Sequence, residues 1–140
     1  MTDALIRYPT RLPYPFAKAV RANGFLFVSG QVSMHDDGTP WYGDVATQTH
    51  RILHTLQQTL AECGATLQEV VKVTVWLSDM AHFAAFNQVY QTYFSQGFPA
   101  RSVVSSQLAF GLDVEIEVQA CPAHPEPSYP DRSLDHAAAY

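Results

Sequence analysis

Arg101, Glu115 and Asn87 are residues whose types and settings can do chemistry without a bound group. Arg101 stands in FPARSVV, at the mouth of an expected strand, and is one of 8 basic residues against 13 acidic ones. There a planar guanidinium can hold a small carboxylate by two parallel hydrogen bonds, although a strand-end arginine is also an ordinary surface residue. The run VEIEV puts Glu115 and Glu117 on one strand face and Val114, Ile116 and Val118 on the other. Such a pair is either a solvated face or, beside a cation, a means of moving protons. Asn87 interrupts an apolar helix face, where an unpartnered amide costs about 1–3 kcal/mol, so it serves as a structural tie or a pocket group. Other chemistries lack their patterns. His50 and His54 lie four apart, but THRILHT has no glutamate in the HExxH position, so no metal is expected. Ser102, Ser105 and Ser106 belong to no nucleophile motif, and no glycine loop suits a phosphate.

The elements that must position these residues follow from periodicity and turn chemistry. Residues 16–20 and 25–32 read as strands joined by the Asn23-Gly24 hairpin turn, after an extended Pro-rich lead-in over 1–15. A loop through His35, Asp36, Asp37 and Gly38 leads to a helix capped by Asp44 that runs to about Cys63 and ends at Gly64. Thr66 and Glu69 have capping-box spacing, and residues 71–78 alternate apolar with polar as a half-buried strand. Asp79 caps a second helix to about Phe94, with Phe83, Asn87, Tyr90 and Phe94 on one face. Strands over 101–108 and 114–120 follow, with Gly111 turning the chain between them. An antiparallel hairpin there would bring Arg101 near a glutamate, in a register the sequence leaves open. The order gives an α+β domain over 16–120 with two helices on one face of a mixed sheet. Beyond it, Pro122, Pro125, Pro127 and Pro130 make 121–140 an extended or disordered tail.

Composition narrows the functions. At 140 residues, 47% hydrophobic and 15% charged, the chain reads as one globular domain burying roughly two-thirds of its unfolded surface. A net charge of -5 with no basic cluster argues against a nucleic-acid partner. No apolar run reaches the ~18 residues that span a bilayer, so no membrane partner is expected. The opening MTDALIRYP lacks a secretory pattern, so Cys63 and Cys121 are expected as reduced thiols in a cytoplasmic protein.

The strings FVSGQV, DVATQTHRIL, VVKVTVWLSDMAHFAAFNQVY, PARSVV and VEIEVQA, in this order and spacing, resemble the Rid family, the YjgF-type reactive intermediate deaminases, from Phe16 to Ala120. The resemblance implies a chorismate mutase-like β-β-α-β-α-β-β subunit in a homotrimer, with active sites between neighbours. It implies an enamine/imine deaminase that needs no metal or organic cofactor and releases ammonia and a 2-keto acid from a 2-imino acid. Arg101 would clamp the substrate carboxylate and Glu115 would position or activate water, with Ser29 and Asn87 lining the pocket. Phe16 stands where a tyrosine is common and Val103 where some members have cysteine, and the loop over 109–113 is shorter and lacks the usual proline and lysine. These changes keep a 2-aminomuconate-type ring-cleavage deaminase open, and a non-catalytic trimer that binds small carboxylates at the same clefts is the alternative from another class. The ribonuclease label carried by parts of the family sits poorly with the acidic charge.

Overall fold

The structure, a computed structural model, describes residues 5–123. A six-stranded mixed sheet runs in the order β1-β2-β3-β6-β4-β5. Its strands are β1 Ile6–Pro9, β2 Ala17–Ala22, β3 Phe25–Val32, β4 Val70–Leu77, β5 Ala100–Ser105 and β6 Val114–Ala120, and its helices are α1 Val45–Glu62 and α2 Phe83–Tyr93. The lead-in is therefore more than a tether. Residues 6–9 add an antiparallel edge strand to β2, and the register shifts at Pro9, which has no N–H to give to a ladder. Asn23 (φ 53°) and Gly24 (φ 80°) both turn left-handed, the geometry that an Asn-Gly hairpin requires.

Local signals place the helices. The Asp44 carboxylate accepts from the Thr47 N–H at 2.8 Å, and Gly64 (φ 81°) breaks the chain away from α1. Thr66 and Glu69 form the expected capping box over a 3-10 turn, Leu67–Glu69. Asp79 caps not α2 itself but a preceding 3-10 turn, Met80–His82. Val73, Val75 and Leu77 are fully buried, whereas Val71, expected beside them, is 45% exposed. The cause is a register shift against β6 between Val70 and Lys72, which flips the alternation by one residue.

The helices cover one sheet face: Ile52, Leu53, Leu56 and Leu60 of α1 and Phe86 of α2 join Leu26, Val28, Val73, Val75, Ile116 and Val118 in one core. Phe25 and Phe27, 42% and 43% exposed, mark the other face. One expectation is overturned. β5 and β6 do not form a hairpin, because β5 lies parallel to β4 and β6 runs antiparallel on the opposite side of β4. With α2 bridging β4 to β5, the chain makes a crossover, and the 3-10 turn Ala109–Gly111 carries it back across β4. The 121–140 tail lies mostly outside the described residues, but its start is held: Cys121 and Ala123 donate their N–H groups to the Glu69 carbonyl and carboxylate.

Candidate functional site

Parallel pairing sets Arg101 beside buried Val73 and so turns its side chain toward α2. Its Nη1 donates to Asn87 Oδ1 at 2.9 Å, and its Cζ lies 4.8 Å from the Tyr90 ring centre, with Phe83 at 5.7 Å and Phe86 at 5.9 Å. Aromatic faces attract a cation, and the amide oxygen fixes one nitrogen, so the guanidinium is held on several sides. Asn87, read as a possible backbone tie, is instead the partner of this side chain. Val103, two residues along β5 and paired with Val75, packs against the core on the same face. A surface cleft of about 360 Å³ opens over Arg101, lined by Asn87, Tyr90, Gln91, Phe98 and Pro99. Burial pushes the Tyr90 phenol up to about 12 against the pull of Arg101, and its hydroxyl has no hydrogen-bond partner among the described residues. Tyr90 and the 68% exposed Phe98 join this cleft beyond the site residues expected from the sequence. The signal was there, since Tyr90 follows Asn87 at i+3 and Phe98 lies three residues before Arg101.

Glu115 lies elsewhere. It pairs with Trp76 of β4 and Val32 of β3, so it projects from the open face of the sheet, away from the helices. Its carboxyl sits directly against Gly30. Burial, and then the like charge of Glu117, raise its pKa above the ordinary carboxylate value. The Ser29 hydroxyl donates to the Ala17 carbonyl at 2.6 Å, which brings Ser29 next to the half-exposed Phe16. The predicted residues thus fall into two clusters: Arg101, Asn87 and Val103 on the helix side, and Glu115, Ser29 and Phe16 toward the other side. The register puts Arg101 and Glu115 about 10 Å apart along the strands and about 10 Å across them, on opposite faces. One copy of the chain cannot bring both to one substrate. The two helix histidines go to other partners, His50 meeting the Tyr93 hydroxyl at 3.0 Å and His54 lying 3.5 Å from Gln58.

The α+β subunit, a mixed sheet with two helices on one face, matches a known class. A family model described as endoribonuclease L-PSP matches residues 10–121. A RutC family protein of Pyrococcus abyssi is 41% identical over 108 residues, 76% of this chain and 84% of that protein. The mitochondrial protein MMF1 of Saccharomyces cerevisiae is 38% identical over 106 residues, 75% of this chain and 73% of its own. The crystal structure of yeast Mmf1 superposes with a TM-score of 0.79 at 35% identity, covering 84% of this chain and 98% of that one. The Rid family protein YyfA of Yersinia pestis gives 0.78 at 33% identity, covering 84% and 99%. The chain belongs to the L-PSP family, also called YjgF or Rid. Among the described residues no helix is long and apolar enough to cross a membrane.

Proposed function

We propose that this chain is an enamine/imine deaminase that hydrolyses 2-imino acids, or their enamine tautomers, to 2-keto acids and ammonia. The observation that carries the reading is Arg101, pinned by Asn87 and aromatic rings and facing an open cleft. A guanidinium fixed in this way can clamp the substrate carboxylate and hold the adjoining C=N carbon at a set distance from attacking water. Water adds to that carbon as one of its protons passes to the nitrogen, and the hydroxyl proton of the resulting carbinolamine follows as the C–N bond breaks, releasing ammonia and leaving a carbonyl. A carboxyl with a raised pKa suits both proton transfers, and Glu115 is that group. The opposite faces of Glu115 and Arg101 support an assembly in which one copy's Glu115 meets a neighbour's Arg101, and the family resemblance makes that assembly a homotrimer. Phe25 and Phe27 on the open face give such an assembly an apolar surface to bury. Neither a nucleic acid nor a membrane is a partner in this reading, and the setting is cytoplasmic.

The test follows decay of freshly generated 2-iminobutanoate and release of ammonia. Wild-type protein should accelerate both, and Arg101→Ala should lower kcat/KM about 100-fold, the loss of a bidentate charged contact. Faster turnover of 2-aminomuconate would instead make it a ring-cleavage deaminase. Saturable keto-acid binding with unchanged imine decay would make it a carboxylate-binding trimer.

A further inference from the structure

The glycines at 24, 38, 64, 97 and 111 all adopt positive φ, which favours their residue type. Gly30 is not among them, so its backbone does not call for glycine; space does. A Cβ added at Gly30 would fall onto Glu115 Oε2 and within 3.2 Å of its Cδ. Gly30 also lies where the β3–β6 register breaks, between Val28↔Val118 and Gln31↔Ile116, so Ser29 and Gly30 together oppose the single residue Glu117. This is a β-bulge, a device that re-aims groups beside active sites. Its flanks are tied down: the Ser29 hydroxyl bonds the Ala17 carbonyl, and the Gln31 amide reaches the Ser29 carbonyl at 3.5 Å.

We propose that Gly30 is a positioning residue: the notch it leaves in the bulge of β3 seats the Glu115 carboxyl against the backbone and fixes it for proton transfer. The inference rests on the deaminase reading of Glu115. Seating there also removes solvent from the carboxyl, the main reason its proton is held more tightly than usual. Around it, β4 contributes Thr74 and Trp76 and β3 contributes Gly30 and Val32, none of them titratable. Glu117 on its own strand is the charged neighbour that acts on it among the described residues.

Gly30→Ala, Glu115→Gln and the double variant Gly30→Ala/Glu115→Asp test this by steady-state kinetics, pH–rate profiles and thermal melts. Gly30→Ala should lower kcat about 10-fold or more with KM within about twofold, because the clamp at this site is a neighbour's Arg101, which Asn87 and the aromatic rings hold and not β3. The carboxyl limb of the pH–rate profile should move down toward the ordinary carboxylate range, as the carboxyl is pushed into water. The shorter aspartate should fit beside the added methyl and regain part of the lost kcat. Wild-type kcat and pH profile in Gly30→Ala, with Glu115→Gln inactive, would overturn the proposal. So would a fall in kcat that tracks loss of thermal stability and is not recovered by the double variant. Full activity in Glu115→Gln would overturn the deaminase reading itself.

Discussion

Asn87 fixes one nitrogen of the Arg101 guanidinium. Removing the amide oxygen frees Nη1, and a hydrogen bond to a charged group contributes about 1.5–3 kcal/mol. Asn87→Ala should therefore raise KM for a 2-imino acid about 10-fold while changing kcat less, as steady-state kinetics will show. Tyr90 behaves differently. Its ring faces the guanidinium while its hydroxyl is buried without a partner among the described residues, so Tyr90→Phe keeps the cation–π contact and removes an unsatisfied group. That variant should melt at or above the wild-type temperature, by up to about 1 kcal/mol of added stability. Glu115 links stability to pH. Its pKa in the folded chain is raised above 4.5, so between 4.5 and the raised value the folded state binds more protons than the unfolded one. The stabilising contribution is complete below 4.5 and is lost as pH rises through the folded value. Glu115→Gln has no such loss, so its melting temperature should gain on wild type as pH rises from 4.5. A constant gap would mean the shift is absent.

At the scale of elements, the start of α1 is held to the start of β6 by one polar knot. Buried Gln48 donates to the Gly43 carbonyl at 2.7 Å and to Asp113 Oδ2 at 3.0 Å, and it accepts from the Asp113 N–H at 3.0 Å. Ser78 adds a 2.6 Å bond to Asp113 Oδ1, and His82 lies 3.8 Å from the same oxygen. Serine, histidine and aspartate are together here, but both others meet the acid, so no histidine stands ready to take the serine proton. The knot is structural. Gln48→Leu strands several of these groups and should cost about 2 kcal/mol, a fall of roughly 6 °C in a thermal melt.

For the whole molecule, the proposed function makes assembly part of the chemistry, since Arg101 and Glu115 lie on opposite faces of one sheet. Arg101→Ala and Glu115→Gln should each keep no more than about a hundredth of wild-type kcat/KM alone. Co-expressed and randomly mixed in a trimer, they restore a site wherever an intact arginine of one copy faces an intact glutamate of another, giving about a quarter of wild-type activity. Sites built within one copy would recover nothing. A charge on the open face, Phe27→Glu, should leave a folded monomer by sedimentation and circular dichroism that no longer turns over imine.

The sequence by itself determined most of the elements, because their signals are local: the Asn23-Gly24 turn, the Asp44 cap, the Gly64 stop and the Thr66–Glu69 box all act within a few residues. It also singled out Arg101, Asn87 and Glu115, through residue types unusual for their settings. Only the tertiary structure decided how these meet. Strand neighbours are set by which faces bury together, so no local pattern showed that β4 inserts between β5 and β6, or that residues 6–9 join the sheet. The bulge at Ser29-Gly30 was equally hidden, since an extra residue shows only against its partner strand. Pairing placed the guanidinium under α2, where Asn87 and aromatic rings hold it, and the carboxyl on the opposite face against Gly30.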